Sequence, residues 1–224
     1  MTTTTATDEL TGLTLAAAMK RGSAAEHEAA EHSPFMEALF SGEVNEAGYA
    51  DYLRRLRVVY ATLESLGHEL TDDPVAGPVL DRSLDRLAAI DADLDVWAPG
   101  QSHDVVSEAA SAYASAIAAS ATWGGLYLAH HYTRYLGDLS GGQAVGRILD
   151  RAFELDGRGL NFYTFTDISK PKPYKDVYRE KLDAVGAELS ANDRLRVVDE
   201  VRHAFRLNQN LFAELSENLD AYRR

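Results

Sequence analysis

Between Tyr132 and Gly146 the chain places Arg134, Gly137, Asp138 and Gly141 within two helical turns. A helix built only for stability would not choose that grouping. The flanking sequence reads as helix on both sides, yet the stretch holds four glycines, Gly137, Gly141, Gly142 and Gly146. An interior glycine costs about 1 kcal/mol relative to alanine, so the set gives up roughly 4 kcal/mol of helical preference. At about 100° per residue, Gly137 and Gly141 share a face with Arg134 and Asp138. A bare strip of backbone then lies beside a cation and a carboxylate, which suits a flat ligand resting against the helix. The same glycines could also serve only close helix packing, or a C-cap at Gly141-Gly142.

Two other groupings offer chemistry. His27 precedes Glu31 by one helical turn, so the carboxylate can hold one ring nitrogen while the other binds a metal, as carboxylates behind metal-bound imidazoles do. Such a pair can equally be a surface ion pair. Lys20 lies two turns before His27, and Lys175 and Arg179 are a basic pair one turn apart. These cations can pair with ligand carboxylates or form solvated basic faces.

The elements that must position these residues read as helices. Leu13 to Ala30 is an amphipathic helix, and Ser33-Pro34 starts a short one that Gly42 ends. Asn45 opens a long helix to about Leu70, with Tyr49, Tyr52, Leu56, Tyr60 and Leu63 on one broad face. Further helices are expected at Val79–Leu94 and Glu108–Ala121. The glycine-bearing helix runs over Trp123–Phe153 and bends at its glycines. An exposed loop, 156–173, carries Phe162-Tyr163-Thr164-Phe165. Helices then run from Tyr174 to Leu189 and, capped by Asn192, to Leu219. No segment shows the alternation of a strand, so the fold class is all-α, a single compact domain of irregularly crossing helices over residues 13–219. Residues 1–12 read as a disordered tail and 220–224 as a C-terminal tail.

Composition narrows the function. Absence of cysteine excludes disulfides, iron–sulfur clusters and thioether attachment of a cofactor. The net charge of −13 argues against a nucleic-acid surface. Residues 1–129 carry 7 basic and 20 acidic side chains, whereas 130–181 carry 9 and 7. The net-positive middle suits an anionic ligand or an acidic protein partner. No apolar run is long enough to span a bilayer and the N-terminus lacks the pattern of a signal peptide, so a soluble, cytoplasmic protein without a membrane anchor is expected.

His-Glu-Ala-Ala-Glu-His-Ser-Pro-Phe-Met from His27, Tyr-Thr-Arg-Tyr-Leu-Gly-Asp-Leu-Ser-Gly-Gly-Gln from Tyr132, and Phe-Arg-Leu-Asn-Gln-Asn-Leu-Phe from Phe205 resemble heme oxygenase, with a match spanning residues 13 to 219. The resemblance implies a helical domain that clamps haem b, non-covalently, between a proximal helix and a kinked, glycine-rich distal helix. It makes His27 the proximal iron ligand with Glu31 as its partner, and Gly137 and Gly141 the backbone over the distal face. Asp138 would organise distal water with Arg134, Tyr60 and Asn208, and Phe205 would line the pocket. Lys20, Tyr132, Lys175 and Arg179 would bind the haem propionates. Ala24 stands where some members of the family carry a second lysine.

The activity so implied is oxidative cleavage of haem by O2 to biliverdin, carbon monoxide and ferrous iron. Lys20 and Arg179 favour the α-meso carbon by analogy. Electrons would come from an external donor such as a ferredoxin or flavoprotein reductase, and the biological use could be iron acquisition, detoxification or pigment synthesis. Two other readings stand beside this one. A haem carrier or sensor would ligate through His27 without turnover. A di-iron bundle would need paired Glu-x-x-His motifs, of which only Glu200-Val-Arg-His203 is present.

Overall fold

The computed structural model describes residues 10–224, so most of the tail expected over residues 1–12 lies outside the described residues. The chain runs through α1 (Leu15–Gly22), α2 (Ala24–Glu31), α3 (Pro34–Phe40), α4 (Glu46–Glu69), α5 (Leu87–Trp97), α6 (Glu108–Ala119) and α7 (Gly124–Gly137). A π-helical turn, Asp138–Gly142, joins α7 to α8 (Gln143–Phe153). Then follow α9 (Pro171–Glu188), α10 (Ala191–Ser216) and a short α11 (Leu219–Tyr222). The described residues contain no β-strand, so the fold is all-α.

Helix α4 crosses α5 and α6, while α10 packs against α7 on one side and against α1, α2 and α3 on another. Two walls result. One is α2, seated on α10. The other is α7 with its π turn and α8. Leu53, Leu56, Val59 and Leu63 of α4 and Val197, Val201 and Leu211 of α10 are fully buried between the layers, the outcome expected of apolar residues at helical spacing.

Local chemistry explains where the structure departs from the expected elements. The helix expected over Leu13–Ala30 breaks at Ser23, whose hydroxyl donates to the Met19 carbonyl at 2.8 Å, a side-chain bond that bends helices. A Cβ at the preceding Gly22 would collide with Val198 of α10, so the break lies where α10 packs tightly against the chain. The helix expected from Val79 begins only at Leu87, after two 3-10 turns at Gly77–Val79 and Arg82–Leu84. Its N-terminus is capped from another helix, because the Glu64 carboxylate of α4 accepts the Arg86 and Leu87 amides. Ser190, not Asn192, caps α10, its hydroxyl accepting the Asp193 amide at 3.1 Å; Asn192 is already inside the helix. Asn45 does cap α4, through the Gly48 amide at 2.9 Å.

Two segments expected to be loose are packed. Phe162, Tyr163 and Phe165 are buried because Asp93 of α5 accepts the Asn161 and Phe162 amides, each at 2.8 Å, and holds that loop inward. Residues 220–224, read as a tail, fold back on the start of α4. The Asn45 amide donates to the Tyr222 carbonyl at 2.7 Å, the Arg224 amide to Glu43 at 2.8 Å, and the Tyr222 hydroxyl to Asp51.

His131 of α7 is buried with Nδ1 2.8 Å from the Tyr178 hydroxyl. Burial pushes its pKa from 6.5 down to about 3, against a small opposing pull from Asp81. The unfolded chain therefore takes up this proton before the folded one does, and the stability present above pH 6.5 is lost as pH falls from there toward 3. The slope approaches about 1.4 kcal/mol per pH unit. His131→Gln, which keeps a partner for Tyr178, should flatten the acid limb of a denaturation series on the protein.

Candidate functional site

A cleft runs between α2 with α10 on one side and the α7–π turn–α8 wall on the other. It has an inner compartment of about 110 Å³ and an outer one of about 440 Å³, and His27, Thr133, Gly137, Gly141 and Phe205 line both. His27 stands on α2 with its Nδ1 3.6 Å from the Glu31 carboxylate, both side chains 52% exposed. Nδ1 is thus turned to Glu31, leaving Nε2 as the nitrogen without a neighbour in that pair. Phe205 of α10 meets the imidazole edge to face at 5.3 Å, which fixes the ring plane.

Across the cleft the glycines separate into two kinds. A Cβ added at Gly137 or Gly141 would have no atom within 4 Å. A Cβ at Gly142 would lie 3.4 Å, and at Gly146 3.0 Å, from the Tyr163 ring. The last two glycines serve packing; the first two open onto the cleft. The π turn, Asp138–Gly142, contains one glycine of each kind, and one residue more per turn is the kind of irregularity found at functional sites.

Beneath this strip lies a buried polar network. Arg134 donates from Nη1 to the Asn208 carbonyl oxygen at 2.7 Å and from Nε to the Tyr60 hydroxyl at 3.2 Å, and its Nη2 is 3.4 Å from Asp138. The Tyr60 hydroxyl donates to the other Asp138 oxygen. All four side chains are at least nine-tenths buried. Burial pushes the Asp138 carboxyl above the ordinary range, with the Arg134 charge and the Tyr60 hydroxyl pulling the other way. At the mouth of the outer compartment stand Lys20, Tyr132 and Arg179.

Of the residues singled out from the sequence, the cleft thus brings together His27, Glu31, Gly137, Gly141, Asp138, Arg134, Asn208 and Phe205, with Lys20, Tyr132 and Arg179 at its mouth. Tyr60 acts from behind, through Asp138. Lys175 lines neither compartment; its ammonium is bonded to the π turn instead. Sequence reasoning missed the apolar walls made by Met36, Phe40, Tyr52, Phe162, Tyr163 and Phe212. The aromatic run at 162–165 was the available signal for two of them. Glu200, in the Glu-x-x-His motif, shares one oxygen between His130 at 2.9 Å and His203 at 3.2 Å. Among the described residues no group of three or more His, Asp or Glu is placed to hold a metal ion.

The profile of the heme oxygenase family matches residues 13–214. The chain belongs to the heme oxygenase family. It is 35% identical to heme oxygenase 1 of Nostoc sp. over 209 residues, 92% of this chain and 87% of that protein. To human heme oxygenase 1 it is 35% identical over 211 residues, 92% of this chain and 73% of that protein. Its fold superposes with a TM-score of 0.87 on the crystal structure of heme oxygenase-1 from the cyanobacterium Synechocystis sp. in complex with heme, at 31% identity and covering 93% of this chain and 95% of that one. With the heme oxygenase from Leptospira interrogans the TM-score is 0.85 at 30% identity, covering 90% and 100%. No helix among the described residues of this heme oxygenase is long and apolar enough to cross a membrane.

The two kinds of glycine should respond oppositely to the same substitution. Gly141→Ala meets open space and should raise the melting temperature of the haem-free protein, a gain of up to about 1 kcal/mol from helix propensity. Gly146→Ala presses on Tyr163 at 3.0–3.1 Å and should lower it. Calorimetry of the two variants checks the assignment.

Proposed function

We propose that this chain is a catalytically active heme oxygenase that binds haem b in the cleft between His27 and the Gly137–Gly141 strip. The residues present fit that group. His27 offers an imidazole nitrogen, the strip opposite offers backbone with no side chain to obstruct a flat ring, and Phe205 and the aromatic walls offer apolar surface. Lys20, Tyr132 and Arg179 offer a cationic, hydrogen-bonding mouth for the propionates. When bound, haem supplies redox-active iron and is also the ring that O2 cleaves, giving biliverdin, carbon monoxide and ferrous iron with electrons from an external donor.

The chain's own part is to hold, shield and protonate. Glu31 turns Nδ1 of His27 and so presents Nε2 to the cleft. Gly137 and Gly141 keep the opposite face clear, so that what binds there is confined by backbone alone. Asp138 holds water at that face and passes protons through it. Its carboxyl, raised by burial, keeps a proton nearer neutral pH than an exposed aspartate does. Tyr60 and Arg134 hold its two oxygens in place, and Asn208 in turn holds Arg134.

The observation that carries catalysis over storage is this buried network. Burying an Arg–Asp pair costs several kcal/mol per ion unless geometry and hydrogen bonds repay it, and a carrier that only ligates through His27 has no use for one. Attack at the α-meso carbon is supported, by analogy with the family, by Lys20 and Arg179, which line the same outer compartment. A ferredoxin or flavoprotein reductase as donor is supported by the net-positive segment 130–181.

Aerobic reductant added to the haem complex decides between the readings. Turnover bleaches the Soret band and yields bile pigment, whereas a carrier cycles its iron with the band intact. In the same assay His27→Ala should lose the histidine-ligated spectrum and nearly all turnover, with partial rescue by added imidazole.

Asp138→Ala should retain haem and His27 ligation but form biliverdin about 100-fold more slowly, within the range proton-transfer groups contribute. Asp138→Asn, which still holds water, should fall less far. Pigment formed at the parental rate by the alanine variant would reduce the network to a structural one.

A further inference from the structure

Lys175 enters the fold by a different route from its basic neighbour. It lies in the second turn of α9, one helical turn before Arg179. Arg179 reaches the mouth of the cleft and pairs with Asp176 at 2.9 Å. Lys175 turns toward the distal wall, where its Nζ donates to the Leu139 carbonyl at 3.1 Å and to the Ser140 hydroxyl at 2.7 Å. Both acceptors belong to the π turn. Burial, and then repulsion from Arg179, lower the affinity of this ammonium for its proton. Asp176 pulls the other way, and the π turn gives the ammonium two fixed acceptors.

The π turn has reason to need an outside donor. Widening a helix by one residue takes backbone groups out of the regular i→i−4 ladder, and glycines at 137, 141 and 142 leave the segment with weak intrinsic helicity. Tyr60 and Arg134 hold the Asp138 side chain, and Gln143 reaches the Asp138 carbonyl only at 3.5 Å. Among the side-chain bonds of the described residues, the one from Lys175 ties a backbone carbonyl of this turn to a helix outside the α7–π turn–α8 wall.

We propose that Lys175 is a positioning residue that clasps the π turn to α9 in the haem-free chain and so sets where the Gly137–Gly141 backbone stands over the cleft. The clasp is a property of the haem-free chain. Its bearing on haem rests on the functional reading above.

Hydrogen–deuterium exchange on the haem-free protein tests it, with Lys175→Met, Lys175→Arg and Ser140→Ala. In Lys175→Met the amides of residues 138–143 should exchange about 10-fold faster, an opening confined to one segment, while peptides from α4 and α10 keep their protection. Ser140→Ala should produce a smaller increase in the same place. Lys175→Arg, still able to donate to the Leu139 carbonyl, should stay near the parent. Unchanged exchange over 138–143 in Lys175→Met overturns the proposal, and so does an increase spread over the whole chain. A fall in haem affinity in Lys175→Met that Lys175→Arg restores, without any change in the haem-free exchange, identifies Lys175 as a carboxylate ligand and also overturns it. Because exchange is measured without haem, failure of the aerobic turnover assay leaves this result standing.

Discussion

The Arg134–Asp138 pair, with Tyr60 and Asn208 as its remaining partners, is the constraint to which the other elements answer. Two opposite charges are held where almost no water reaches, and such a pair is tolerable only when each lone pair and proton is met in good geometry. The partners come from three helices: Arg134 from α7, Tyr60 from α4 and Asn208 from α10. Breaking the register of any one would strand a buried charge. The network therefore fixes the relative positions of α4, α7 and α10 as it sets the polar floor of the cleft.

From that floor the two walls follow. Helix α10 carries Asn208 in the network and Phe205 one turn earlier, and Phe205 meets His27 of α2, so the imidazole is placed by the helix that places the network. On the other wall, Gly142 and Gly146 lie against Tyr163, and the loop holding Tyr163 is pinned through its backbone by Asp93 of α5. Gly142 and Gly146 are thus taken up by Tyr163, while Gly137 and Gly141 stay open to the cleft. The cleft is polar and cationic at its mouth, apolar along its walls and floored by the buried Arg134–Asp138 pair. That gradient matches a flat ligand with carboxylates at one edge and reaction at its centre.

Much of this was legible in the linear chain. Helical periodicity identifies α4 and α10, and the glycine cluster locates the bend of the distal wall, because glycines accumulate in a helix only where side chains cannot be accommodated or are not wanted. The face shared by Arg134, Gly137, Asp138 and Gly141 follows from 3.6 residues per turn alone. Resemblance in the three motifs supplied the pairing of His27 with that face, which no spacing argument could, since 110 or so residues separate them.

What only the tertiary structure decided concerns groups whose partners are distant in sequence. Glu64 caps α5 from another helix, Asp93 buries a loop that reads as exposed, and residues 220–224 are ordered by the start of α4. Lys175, indistinguishable in sequence from a carboxylate-binding lysine, is bonded to the π turn. The physical reason is the same in each case. Periodicity and propensity report which face of an element seeks burial, a local property carried by residues three and four apart. The partner a polar group finds depends on which other element the packing brings within about 3 Å, and that is a property of the assembled fold.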